Sequence, residues 1–157
     1  MTIEEQLRTA GKLVYTNRGV SMLPLLRENR DVMVIEACKA NEIKKLDAVL
    51  FVRHRKEKKD YVLHRVLRQN ADGSFWIVGD HCVQGETVPG EQIIGRLSAV
   101  VRDGRTISVH DWKYLCYVHL WCDVYPLRFL ILRGKAFVRR GLRFLKRQWI
   151  TKHEDKK

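Results

Sequence analysis

The chain lacks most of the features that would fix its class at a glance. Its four cysteines, Cys38, Cys82, Cys116 and Cys122, form no C-x-x-C pair. That argues against a disulfide framework or a zinc ribbon and for a reduced compartment. Cys116, His119 and Cys122 step by three, which turns about 60° around a helix per step, so three such ligands do not converge on one ion. No metal and no cofactor is expected. Residues 2–14 are charged and amphipathic, which is unlike a secretory signal. The most apolar stretch, 112–132, is broken by His119, Asp123, Pro126 and Arg128, too many polar groups for a simple spanning helix. The expected location is therefore cytoplasmic or peripheral to a membrane. There is no internal repeat and no low-complexity tract.

Negative charge is scarce at one end. The 157-residue chain carries a formal +12, and from Trp112 onward twelve Lys/Arg face three Asp/Glu, a net of +9. A hydrophobic content of 45% permits a packed core. The division this suggests is a β-domain with an N-terminal helix over 1–111 and a basic helical extension over 112–157. Within 135–150 an apolar stripe (Phe137, Val138, Leu142, Leu145, Trp149) opposes a basic one (Arg139, Arg140, Arg143, Lys146, Arg147). Such a helix suits an anionic membrane surface. Nucleic acid is the weaker partner, because no zinc-finger or RNA-recognition motif is present and the aromatics fall on the apolar stripe.

Upstream, the periodicity is mostly that of strands. Thr2 and Glu5 form a capping box, and Ile3, Leu7, Ala10 and Val14 predict a helix over 3–14. Strands are expected over 31–36, 47–53, 60–67, 75–78, 91–102 and 105–110. Asp72-Gly73 and Asp103-Gly104 are hairpin turns. The fold class read from this is mainly β, a barrel or sandwich, with a short N-terminal helix and C-terminal helices.

Three residue types stand in an informative order. Ser21 lies on a loop before Met22-Leu23-Pro24, His64 inside an alternating strand, and Asp80 after Gly79 at a strand end. Ser, His and Asp together suit nucleophilic acyl transfer: a hydroxyl attacks a carbonyl, an imidazole takes its proton, and a carboxylate orients the imidazole. Each has a plainer reading: Ser21 as the N-cap of a helix over 22–28, His64 as a satisfied core imidazole, Asp80 as a turn residue. Glu86 competes with Asp80 for the orienting role, and Asp80 is the first choice.

These residues also carry a resemblance. Ser21-Met22-Leu23-Pro24, His64-Arg65, Gly79-Asp80 with Glu86 six residues on, and Ile93-Ile94-Gly95-Arg96 resemble, in order, the boxes of the signal peptidase I and repressor-protease superfamily. His64-Arg65 is similar to the group whose base is a histidine, as in endoplasmic-reticulum and archaeal signal peptidases. The similarity covers about half the chain. It departs from that group at Leu46-Asp47, at the His81-Cys82-Val83-Gln84 loop and at Gly19, where many bacterial members place a hydroxyl.

The resemblance implies a signal-peptidase-like β-core and a serine endopeptidase cutting a leader- or signal-type peptide after small residues. Ser21 and His64 would form the dyad, with Asp80 assisting and Glu86 as supporting acid. Gly19, Val20, Met22 and Pro24 would form the oxyanion and substrate loop. Two other functions fit the same chain: a self-cleaving regulator of the repressor type, and a non-catalytic basic module that binds lipid or nucleic acid.

Overall fold

The computed structural model of the protein describes residues 2–55, 58–135 and 137–138. Helix α1 (Ile3–Ala10) is opened by the Thr2–Glu5 capping box. It stops earlier than the apolar spacing predicts. Gly11 adopts φ 67° and its N–H closes on the Leu7 carbonyl, a left-handed cap that ends the helix. Val14 therefore belongs to strand β1 (Lys12–Thr16), which the helical spacing concealed.

Seven further strands follow: β2 (Val32–Glu36), β3 (Ala48–Arg55), β4 (Lys58–Gln69), β5 (Phe75–Val78), β6 (Gly85–Val88), β7 (Ile93–Arg102) and β8 (Arg105–Ser108). All pair antiparallel in one sheet of order β1-β2-β7-β3-β4-β5-β6. β8 pairs with β7 along 99–102, while β3 pairs with β7 along 93–96. Strand β6 carries no sequence signal of its own, with four residues and one apolar anchor, Val88.

The expected barrel or sandwich is corrected to a single antiparallel sheet that does not close. Closure needs the end strands β1 and β6 to pair, and each has a partner on one side alone among the described residues. A sandwich needs a second sheet. Here helices cover that face instead. Tyr114, Val118 and Cys122 join Leu13, Ile35, Leu50, Leu63 and Leu97 in one apolar cluster. The other cluster joins Val49, Phe51, Val66, Phe75, Ile77 and Ile93. The strand parity fits this division: Leu50 and Leu63 lie in the first cluster, Phe51 and Val66 in the second.

The covering helices are α2 (Trp112–Tyr117), a π-helical turn (Val118–Cys122) and α3 (Tyr125–Lys135). The boundary expected at residue 111 is thus crossed by shared core. The two helical stretches, Trp112–Cys122 and Tyr125–Lys135, meet at 72°. No single described helix is long and apolar enough to cross a membrane. Of the amphipathic stretch expected over 135–150, residues 136 and 139–150 lie outside the described residues.

Candidate active site

The serine turn is held from both ends. Gly19 has φ 99°, a conformation that favours glycine, and its N–H donates to Glu28 Oε1 at 2.9 Å. The Asn17 side chain donates to the Gly19 carbonyl at 3.0 Å. Met22 and Leu26 are buried in the first cluster and anchor the turn beneath Ser21. Arg102, on β7, donates to the Leu25 carbonyl at 2.6 Å. Val20 and Pro24 are exposed, so the loop presents backbone and small surface to solvent. The helix expected after Ser21 does not form. Residues 21–26 are turns, with Leu26 N–H donating to the Met22 carbonyl at 2.9 Å, so no helix N-terminus faces the serine.

A close approach brings this turn to the histidine. The His81 N–H donates to the Ser21 carbonyl at 2.8 Å. A Cβ on Gly79 would stand 2.7 Å from that carbonyl oxygen, 3.0 Å from His64 Nε2 and 2.8 Å from Cys82 Sγ. The hydrogen of Gly79 therefore occupies the place where serine backbone, imidazole and a thiol converge. Among the described residues no hydrogen bond joins the Ser21 hydroxyl to His64. Catalytic bonds are often long before substrate tightens them.

His64 is buried and its ring lies tilted against Phe51, centroids 6.0 Å apart. Its Nδ1 stands 3.3 Å from Glu86 Oε1, close but out of line for a full hydrogen bond. Glu86 is itself held by Arg53, whose Nε donates to Oε2 at 3.0 Å and whose terminal nitrogen donates to Oε1. Burial pushes the imidazole below its ordinary 6.5. Arg53 pushes the same way, and the Glu86 and Asp80 charges oppose it. The net direction keeps His64 neutral, and so able to accept a proton, at and somewhat below neutral pH.

Asp80 does not orient the imidazole as expected. Its carboxylate is fully buried and taken by Arg65, with Nε to Oδ1 at 2.8 Å and Nη2 to Oδ2 at 2.7 Å. The Tyr117 hydroxyl donates to Oδ2 at 2.7 Å. Trp121 Nε1 donates to the Asp80 carbonyl at 3.1 Å, and the Tyr125 hydroxyl donates to the Val83 carbonyl at 3.1 Å. Asp80 thus ties β4 to the C-terminal helices. The physical reason is parity. His64 and Arg65 are adjacent on a strand and face opposite ways, and Asp80 lies on Arg65's side.

The acid nearest the histidine is Glu86, on the short strand β6. Arg53, the last residue of the strand expected over 47–53, has no role in the sequence reading of the site. The signal was available in part, because Arg53 has the parity of Phe51, the residue against which the His64 ring lies. The close approach at Gly79 carried no sequence signal beyond the glycine itself. All four cysteines are free. Burial pushes the Cys82 thiol up, the opposite of what a thiolate nucleophile beside His64 requires. No group of three metal-ligating side chains occurs among the described residues. Searches of protein-family models, of curated proteins and of solved structures found no match to this chain.

Proposed function

We propose that the protein is a serine endopeptidase in which Ser21 is the nucleophile, His64 the general base and Glu86 the residue that steadies the imidazolium. The observation that carries this is the Gly79 gap, within 3.0 Å of both the Ser21 carbonyl oxygen and His64 Nε2. A loop has been brought against an imidazole at a point where any larger residue would separate them.

The steps follow from the groups present. The Ser21 hydroxyl attacks the scissile carbonyl while His64 Nε2 takes its proton. The Nδ1 side of the imidazolium then faces the Glu86 carboxylate, whose charge favours it. The imidazolium protonates the leaving amine as the tetrahedral intermediate collapses to an acyl-enzyme. Water, deprotonated by His64, hydrolyses the ester. An extended peptide suits the open sheet, since unpaired edge groups can pair with its backbone and alternate side chains then enter pockets. The resemblance to signal peptidases supports a leader- or signal-type peptide with small residues before the cut. It also supports a distant relationship of this sheet to their β-core.

The test is Ser21→Ala with mass mapping of products from candidate precursor peptides. Removing one hydroxyl from a turn leaves packing nearly untouched. The expected result is a fall in kcat/KM of about 10⁴-fold or more, roughly 5.5 kcal/mol of lost transition-state stabilisation, at unchanged Tm. Wild-type cleavage by Ser21→Ala would sink the proposal.

A further inference from the structure

Helix α3 buries Leu132 and, four residues earlier, a charge. Its Arg128 is fully buried, while Leu127 and Leu130 are 57% and 65% exposed and Ile131 and Phe137 point to solvent beside them. The guanidinium rewards this poorly. None of its three nitrogens has a hydrogen-bond partner among the described residues. The nearest anionic atom, Asp80 Oδ1, is 3.6 Å away and already receives Arg65. The Tyr125 ring lies 5.0 Å from the guanidinium carbon. In water this orientation leaves leucine surface hydrated and keeps a charge from water, and both cost free energy. The preceding stretch has the same outer character. Tyr114, Val118 and Cys122 face the sheet, and Trp112 and Leu120 are 70% and 77% exposed.

We propose that the outer face of the bent stretch 112–135, centred on Leu120, Leu127 and Leu130, docks the protein on an anionic lipid bilayer by lying in its interface. An apolar medium on that side removes the penalty for the exposed leucines. The geometry favours lying over crossing. Each limb has 11 residues, about 16 Å of helix, so neither alone crosses about 30 Å of hydrocarbon; the 72° bend brings the pair below its summed length, and Tyr114, Val118 and Cys122 hold the first limb on the sheet. Charge selects lipid over a second copy. Lys113 lies over the Trp112 ring, Arg133 over the Phe129 ring, and Lys135 is exposed on the same limb, and the segment from Trp112 onward carries +9. Two copies of this +12 chain would bring like charges together, whereas anionic headgroups neutralise them.

The inner face of the same helices holds the Asp80–Val83 loop through Tyr117, Trp121 and Tyr125. Docking therefore anchors the loop that carries the Ser21 contact close to the membrane surface. The docking face is independent of the peptidase reading, and its test does not use activity.

The full chain is sedimented with vesicles of phosphatidylglycerol and phosphatidylcholine, and with phosphatidylcholine alone, at low and high salt. Binding is expected with the anionic vesicles at low salt and reduced by salt, because headgroup attraction is screened. Leu127→Gln/Leu130→Gln removes apolar surface at exposed positions, so Tm should hold while partitioning falls by about tenfold or more. Leu120→Gln, on the other limb, should give a smaller loss in the same direction. Failure of the wild-type chain to bind overturns the proposal. So does equal binding by the double variant, which would assign docking to the basic chain end. A wild-type dimer that the double variant disperses, without vesicle binding, overturns it in favour of a second copy.

Discussion

Two arginine–carboxylate pairs lie on the two sides of β4, and they differ in what surrounds them. Behind the strand, Arg65 and Asp80 are wholly buried and share Tyr117 and Arg128 as neighbours. In front, Arg53 and Glu86 are each about a third exposed, and the carboxylate also faces His64. The same chemical pair does different work in the two places. A buried pair is costly to break because removing one partner strands the other charge away from water. A partly exposed pair contributes little to stability but can tune a neighbouring titration. The identity of the acid that serves a histidine is thus decided by side-chain parity along a strand, and sequence order alone does not reveal it.

The largest effect should come from the rear pair. Asp80→Asn leaves two guanidiniums in the interior without their carboxylate, and the loss expected is about 3–5 kcal/mol in urea unfolding. The tie between β4 and the helices weakens with it. The rate of the remaining folded molecules should stay within about tenfold of wild type, since Asp80 acts on His64 through charge and not through a bond. The comparison breaks if Asp80→Asn keeps its stability and loses activity as fully as Ser21→Ala.

A smaller effect tests the loop that joins the two sides. Gly79→Ala places a methyl 2.7 Å from the Ser21 carbonyl oxygen and 3.0 Å from His64 Nε2. The first of these is backbone, so the serine turn must shift. A displacement on the order of 1 Å at a reacting group costs about 100-fold, or about 2.7 kcal/mol. The expected signature is a fall in kcat/KM larger than the fall in stability. Full activity in a folded Gly79→Ala would show that the serine and the histidine do not need this gap.

Much of this architecture was legible beforehand. Strands β5, β7 and β8 and the turns at Asp72-Gly73 and Asp103-Gly104 follow from alternation and turn residues, and the 75–78 strand has those limits in the structure. The parity that puts Leu63 and Arg65 opposite Val62, His64 and Val66 is readable too. What the sequence could not carry is how the sheet ends. Whether β1 and β6 meet depends on twist accumulated over seven strands, and four-residue β6 has little pattern of its own. The Asp80 assignment failed for a related reason. Sequence proximity to His64 says nothing of which face of the sheet a loop residue enters. Gly11 ends α1 through a left-handed cap, although the apolar spacing runs on to Val14.

The finest test concerns the front pair and runs through pH. In the proposed reaction the base must be neutral, so the rate should fall with decreasing pH through the folded pKa of His64, which burial lowers from the ordinary 6.5. The histidine also makes folding pH-dependent. Its contribution is fully present above about 6.5, where neither state binds the proton, and is lost as pH falls toward the folded value, because the unfolded chain protonates first. The charges acting on the imidazole are Arg53 from β3 and Glu86 from β6, which lie on its own side of the sheet, and Asp80, which acts from the loop after β5 through charge alone. Arg53→Gln removes a cation and should move the acid limb to higher pH, by less than about one unit. Glu86→Gln removes an anion and should move the limb to lower pH. It should also lower the plateau by up to about tenfold, since the imidazolium loses its counter-charge. Opposite displacements of the two limbs, at nearly equal Tm, are what a tuning pair requires. Displacement in the same direction, or a large drop in Tm for either variant, would make the front pair structural like the rear one.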